Sequence, residues 1–259
     1  IIRRVRLFVL RHPIYEAVTP KNFEIMRLGS DYGGKLLVNL PSLEGGVVIS
    51  AGVGEDASFD IEFAARFHAR VILIDPTPRA VDHYSAITKR FGKAREMPYF
   101  FGGNQNTACY DLTGVSQSNL TMTTAALASD DGEAEFFVPV NSANVSHSLD
   151  PSLHGISESL SITVKKMTLI AVCKEADVNP AEIEILKLDI EGAELGVIES
   201  LFDYDVWPNQ ILVEFDELNY PTRNGNERVT RAHEILVSNG YILCATDGKS
   251  DFTYVLGKR

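Results

Sequence analysis

From Gly46 onward the chain alternates short apolar runs with amphipathic stretches, and this rhythm predicts strands and helices in turn. Val47-Val48-Ile49 is β-branched and uninterrupted by polar residues, as in a parallel strand covered on both faces. Phe59, Phe63 and Phe67 recur at every fourth position of a helix predicted over 58–69, so they share one face. A second strand is predicted over 71–74, followed by the breaker Pro76-Thr77-Pro78. Val81, Tyr84, Ile87 and Phe91 then mark a helix ending at Gly92.

The middle of the chain is less regular. The segments 120–127 and 134–138 read as extended runs around the turn Asp130-Asp131-Gly132. The rhythm then returns, with helices predicted over 165–176, 192–202 and 227–238 and strands over 183–190, 211–215 and 241–245. Asp247-Gly248 turns the chain into a last strand over 252–256, which makes an antiparallel hairpin. Alternating strands and helices imply a doubly wound α/β fold with a mostly parallel sheet. Residues 1–45 contain the turn Asp31-Tyr32-Gly33-Gly34 and are read as an N-terminal extension that caps a main domain over 46–259.

Composition narrows the partners. Asp plus Glu number 35 against 24 Lys plus Arg, and the resulting charge of −11 disfavours nucleic acid and anionic membrane surfaces. Cys109, Cys173 and Cys244 form no metal or redox motif, and their odd number fits a reducing, cytoplasmic setting. No apolar run approaches the roughly 18 residues of a membrane span. The first residue is Ile rather than Met, which leaves room for an upstream segment, including a removed signal or anchor.

In a parallel sheet, ligands bind beyond the carboxyl ends of the strands. Beyond the first strand lies Gly52-Val53-Gly54-Glu55-Asp56-Ala57, whose glycines allow close backbone approach to a ligand. Asp75 ends the second strand about 20 residues later, where a carboxylate can accept both hydroxyls of a ribose. Together they form a nucleoside half-site, although a Gly-x-Gly turn alone is a common connector and Asp before Pro is often only a helix cap. The same residues fit the GxGxxA fingerprint of NAD enzymes. Glu55 and Asp56 count against a pyrophosphate at that helix start and suit a cationic ligand.

A second constellation is Lys187-Leu188-Asp189-Ile190-Glu191-Gly192. Lys187 and Asp189 share one face of an otherwise apolar strand, and charge there is costly unless paired. A solvated strand end explains Glu191 well and Lys187 poorly. The run Leu186–Glu194, with the 52–59 loop and Asp75-Pro76-Thr77-Pro78, resembles the FkbM-like methyltransferases. Ala125–Gly132 resembles their third-strand segment and Val145-Ser146-His147-Ser148 a loop of some members.

That resemblance, spanning about residues 29–256, implies the seven-stranded, Rossmann-like class I methyltransferase sheet. It implies S-adenosylmethionine as cofactor and O-methylation of a hydroxyl on a small molecule, sugar or glycan. It places Gly52, Val53, Gly54, Glu55, Asp56, Asp75, Pro76, Thr77, Ser129, Asp130 and Asp189 at the cofactor. Ser50 departs from the acidic residue usual at the end of the first strand, so Glu55 or Asp56 is expected to contact the methionine ammonium. Asp189, Glu191 and His147 are the candidate bases, with Lys187 beside them, and a divalent metal held by Asp189 with Glu191 or Asp216 is the less favoured alternative. Lys187 is expected to pair with Glu214 on the neighbouring strand, leaving Asp189 free as base. An NAD-dependent oxidoreductase and a non-catalytic binding module are the alternatives.

Overall fold

The computed structural model describes residues 15–21, 23–139, 148 and 156–257. Strands β1 (Ile25–Leu28) and β2 (Lys35–Val38) form an antiparallel hairpin, followed by β3 (Val47–Ala51), α1 (Ser58–Phe67), β4 (Arg70–Ile74) and α2 (Pro78–Thr88). The middle holds β5 (Leu120–Thr123), β6 (Ala126–Leu127), β7 (Gly132–Pro139) and β8 (Ile156–Met167). The last third comprises α3 (Leu169–Glu175), β9 (Ile183–Leu188), α4 (Glu194–Asp203), β10 (Gln210–Glu214), α5 (Arg223–Ser238), β11 (Tyr241–Thr246) and β12 (Asp251–Leu256).

The central sheet has seven strands in the order β11-β12-β10-β9-β3-β4-β5. Its pairs β5/β4, β4/β3, β3/β9 and β9/β10 are parallel, while β12 runs antiparallel between β10 and β11. Alternation along the strands separates two cores. Val48, Val71, Leu73, Ile185 and Leu212 pack with α1 and with Leu37 of the hairpin. Ile49, Ile72, Leu186, Leu188, Ile211 and Val213 pack with α3, α4 and α5 on the other face. Both faces of the parallel strands are therefore covered, which is why stretches such as Val71–Ile74 and Ile211–Val213 carry no polar residue. Among the described residues no helix is long and apolar enough to cross a membrane.

The irregular middle separates into two sheets. β5 extends the central sheet, whereas β6 and β7 flank β8 in a three-stranded sheet of their own. The predicted helix over 165–176 is corrected on this point: its first residues complete β8, and the helix starts only after Thr168, whose side chain accepts from Ala171 N. Alternating Ile162 and Val164 favour the strand, and the cap at Thr168 ends it. The last helix starts earlier than its apolar pattern predicts, because Thr222 caps it by accepting from Gly225 N at 3.0 Å.

The tightest backbone contact lies where β3 ends. Gly52 has φ +80°, and a Cβ built there would stand 1.7 Å from the carbonyl oxygen of Asp189. Gly52→Ala is expected to lower stability by about 3 kcal/mol or more through this clash and the strained φ, as read by urea unfolding. A change within about 0.5 kcal/mol would show that the two loops relax freely.

Candidate active site

At the carboxyl edge of the sheet a cleft of about 410 Å³ opens between the ends of β3, β4, β9, β10 and β12. Among the described residues, ten carboxylates (Asp31, Glu55, Asp56, Asp75, Asp189, Glu191, Glu214, Asp216, Asp247 and Asp251) line it, against Lys187 and Lys249, with Lys35 buried behind three of them. Ile74, Pro76, Ala125, Ala126, Leu127 and Phe136 form an apolar wall, and Tyr32 stands at the rim with most of its ring exposed. Gly103 admits that ring, since a Cβ there would lie 2.4 Å from Tyr32 Cε1.

Gly52, Val53, Gly54, Glu55, Asp56, Asp75, Pro76 and Thr77 all reach this cleft. Asp75 shapes the glycine loop: Oδ2 accepts from Val53 N at 3.0 Å and Gly54 N at 2.9 Å, and Oδ1 from Thr77 N at 2.8 Å and Thr77 Oγ1 at 2.7 Å. A carboxylate offers about four lone-pair sites, so the chain itself occupies them all, and a ribose would have to exchange with one of these donors. Asp56 is likewise committed, Oδ1 to Ser58 N at 3.0 Å and Oδ2 to Ser30 Oγ at 2.6 Å. Glu55 meets Arg79 and Asn104 through Oε2. Both residues expected at an ammonium are therefore engaged, Asp56 by neutral donors of the chain and Glu55 by the Arg79 cation.

The structure places Ser129 and Asp130 outside the cleft. Both are exposed in the turn before β7, where Asp130 Oδ2 pairs with Lys166 at 2.5 Å. Their segment contributes Ala125, Ala126 and Leu127 instead, because β6 pairs with β8 and draws the following turn away. His147 lies outside the described residues, as do Val145 and Ser146. Ser148 is buried, and its Oγ donates to the carbonyl oxygen of Glu191 at 2.5 Å.

The expected Lys187–Glu214 ion pair is corrected. Lys187 lies level with Leu212, so the two charges share a sheet face but stand one two-residue step apart. Lys187 Nζ instead donates to Gly52 O at 2.5 Å and Ala51 O at 3.4 Å, fastening β9 under the glycine loop. Glu214 takes its cation from the N-terminal hairpin: Lys35 Nζ lies 2.6 Å from Glu214, 2.7 Å from Asp251 and 3.3 Å from Asp189. Asp189, expected to be free, thus touches Lys35 and, at 3.7 Å, Lys187. Burial pushes its carboxyl up, but the two lysines outweigh this and hold it below the usual value. A carboxylate so stabilised is a weak proton acceptor.

Glu191 occupies different surroundings. Its φ of +53° is rare for a non-glycine residue and turns the chain sharply after β9. Glu194 supports that turn, accepting from Ile190 N at 3.0 Å and Gly192 N at 2.9 Å. Asp216, in the 3-10 turn after β10, hydrogen-bonds to Glu191. Burial, then the charges of Glu191, Glu214 and Asp189, hold the Asp216 carboxyl well above the usual value. Two carboxyl groups brought close together in a buried site resist double ionisation.

Lys35 and the Glu191–Asp216 bond went unseen in the sequence. The signal for Lys35 was a charge opening the otherwise apolar strand Lys35–Val38, but nothing local shows how far that side chain reaches.

Because the folded pKa of Asp216 is raised, its contribution favours the folded state below the unfolded value near 3.8 and is lost as pH rises through the folded value. Asp216→Asn, whose amide can donate to Glu191, is expected to raise the melting temperature at pH 7 by a few degrees, with the gain vanishing near pH 4. Melting curves across that range check it. An unchanged or lowered melting temperature at pH 7 would refute the raised Asp216 carboxyl.

Residues 57–243 match the family model described as the methyltransferase FkbM domain. No curated protein matches the chain in a sequence comparison.

Proposed function

Since the chain belongs to the FkbM methyltransferase domain family, we propose that it is an S-adenosylmethionine-dependent O-methyltransferase acting on a hydroxyl of a small molecule, sugar or glycan. The observation that carries this reading is the charge of the cleft, with ten carboxylates around the glycine loop against three lysines, Lys187, Lys249 and the buried Lys35. A ligand bearing sulfonium and ammonium groups is stabilised by that field, and a polyphosphate is repelled.

The residues present fit such a cofactor in three further respects. The apolar wall of Ile74, Pro76, Ala125, Ala126 and Leu127 offers an aromatic base a dry surface beside the loop. Glu55 lines the same loop and could meet an ammonium in exchange for its present partner, Arg79. The start of α1 is also closed to a phosphate: Ala57 N donates to Tyr110 Oη at 3.1 Å and Ser58 N to Asp56. An NAD enzyme would need such donors for its pyrophosphate, so the oxidoreductase alternative loses its anchor.

Bound there, the cofactor supplies a methyl carbon activated by positive sulfur. The chain's own part is to align an acceptor oxygen with that carbon, exclude water and take up a proton. Asp189 is poorly suited to the last task, because Lys35 and Lys187 hold it ionised. Glu191, joined to Asp216 at the cleft, is better placed to receive the proton of the acceptor hydroxyl. Lys187 keeps the glycine loop in register with β9. The acceptor enters past Tyr32, where an aromatic face beside carboxylates suits a polyol.

S-adenosylhomocysteine is expected to raise the melting temperature while NAD and NADP leave it unchanged, and stabilisation by NAD alone would overturn the reading. Asp75→Ala is expected to weaken S-adenosylhomocysteine binding by about 1–3 kcal/mol in calorimetric titration and also to lower stability, because the loop amides lose their acceptor. Full affinity in that variant would show that the loop holds its shape without Asp75.

A further inference from the structure

Two phenylalanines stand in water at the mouth of the cleft. Phe101 is 99% exposed, the most open large apolar side chain among the described residues, and Phe100 beside it is 47% exposed. The loop that carries them is fixed from within by Gln105, which is only 2% exposed. Gln105 Oε1 accepts from Phe100 N at 2.8 Å, and its Nε2 donates to Phe100 O at 2.9 Å and Gly102 O at 3.0 Å. The same Nε2 lies 3.3 Å from Asp56 Oδ2, and Gln105 N donates to Glu55 O at 2.9 Å, which ties this turn to the glycine loop. A buried amide so placed fixes the backbone while both rings stay outside the core.

Single exposed apolar side chains are ordinary, whereas contiguous ones mark binding surfaces. Here they are continuous with the cleft. Gly103, two residues after Phe101, lines it and packs against the exposed ring of Tyr32. Partial burial, then the charges of Asp189, Glu214, Glu191 and Asp216, raise the Tyr32 phenol above its usual value, which places that ring between the loop and the acids. The mouth thus presents an apolar outer surface and an acidic interior.

We propose that Phe100 and Phe101, with the exposed ring of Tyr32, form an apolar subsite for a neutral amphipathic acceptor, whose hydroxyl-bearing head enters the cleft while its apolar part lies on the loop. That the occupant is a methyl acceptor rests on the methyl-transfer reading. Charge selects this occupant over larger ones. An anionic head or an anionic membrane is repelled by the ten carboxylates of the cleft and by the net charge of −11. Arg90 and Arg95, just before the loop, are paired with Glu96 and Glu62 and leave that field in place. A second copy seated two-fold on the same patch would bring two acid-lined mouths together. A neutral molecule meets neither objection, and its apolar part takes the surface of the rings out of water.

Calorimetric titration with n-octyl β-D-glucoside and methyl β-D-glucoside, below micelle formation, tests the subsite on wild type, Phe101→Ser, Phe100→Ser/Phe101→Ser and Leu160→Ser. Leu160, exposed on β8, is the control. Wild type and Leu160→Ser should bind the octyl compound about tenfold or more tighter than the methyl one, the gain from burying about two methylene groups. Phe101→Ser should remove most of that preference and the double variant all of it. Because the Phe101 ring is in water, its replacement should leave the melting temperature unchanged, which separates lost binding from lost folding. The proposal is overturned if the octyl compound binds wild type no more tightly than the methyl one, or if the preference survives in the double variant. It is also overturned if the patch serves a larger partner: a wild-type dimer in sedimentation that Phe101→Ser dissociates, or flotation of wild type with phosphatidylcholine vesicles that this variant loses. Absence of S-adenosylhomocysteine binding to the same wild-type sample counts against the methyl donor and leaves the glucoside result standing.

Discussion

A parallel sheet can collect carboxylates at one edge only if their mutual repulsion is met by cations held in place. In this protein the ends of β9, β10 and β12 each bring an acid to the same spot, and Lys35 lies among all three. Lys187 meets the same cluster from within the sheet and fastens the glycine loop through Gly52 O. Taking such charges out of water costs several kcal/mol per ion unless they are paired, so the hairpin and the sheet edge depend on each other. The N-terminal hairpin is thereby part of the cleft, with β2 supplying the buried ammonium and the β1–β2 turn supplying Asp31, Tyr32 and Gly33 to the lining.

That arrangement separates the acids into two kinds. Asp189, between two lysines, stays ionised, whereas Asp216, facing Glu191, Glu214 and Asp189, is pressed to hold a proton. The division rests on local shape: Glu194 and the left-handed Glu191 bend the chain after β9, and Ser148 fastens the Glu191 carbonyl. Asp75 and Asp56 do comparable work on the opposite side, bracing the glycine loop and the start of α1.

Much of this was legible before any coordinates. Apolar runs such as Val71–Ile74 and Ile211–Val213 marked buried parallel strands, and the four-residue spacing of Phe59, Phe63 and Phe67 marked a helix against them. The glycine loop, Asp75 and the Lys187–Glu191 run were recognisable because a ligand site at a strand end needs small residues and unusual charges there. The middle was harder to read. β6, β7 and β8 form a sheet apart from the main one, and β8 ends on Lys165-Lys166-Met167, residues equally at home in a helix, so the pattern carries no boundary until Thr168. Ser129 and Asp130 were placed at the cleft for the same reason, since strand membership in one sheet or another leaves no mark on a short segment.

What the sequence determined by itself was the identity of the charged residues and the face on which each lies, because strand periodicity is a local property. Lys187, Asp189 and Glu214 do share one face. Which of them meet was decided only by tertiary structure. Register between β9 and β10 sets Leu212, not Glu214, beside Lys187, and the cation for Glu214 arrives from Lys35, 179 residues away along the chain. Periodicity repeats every two residues and cannot distinguish one such step from the next, whereas an ion pair is sensitive to a displacement of a few ångströms.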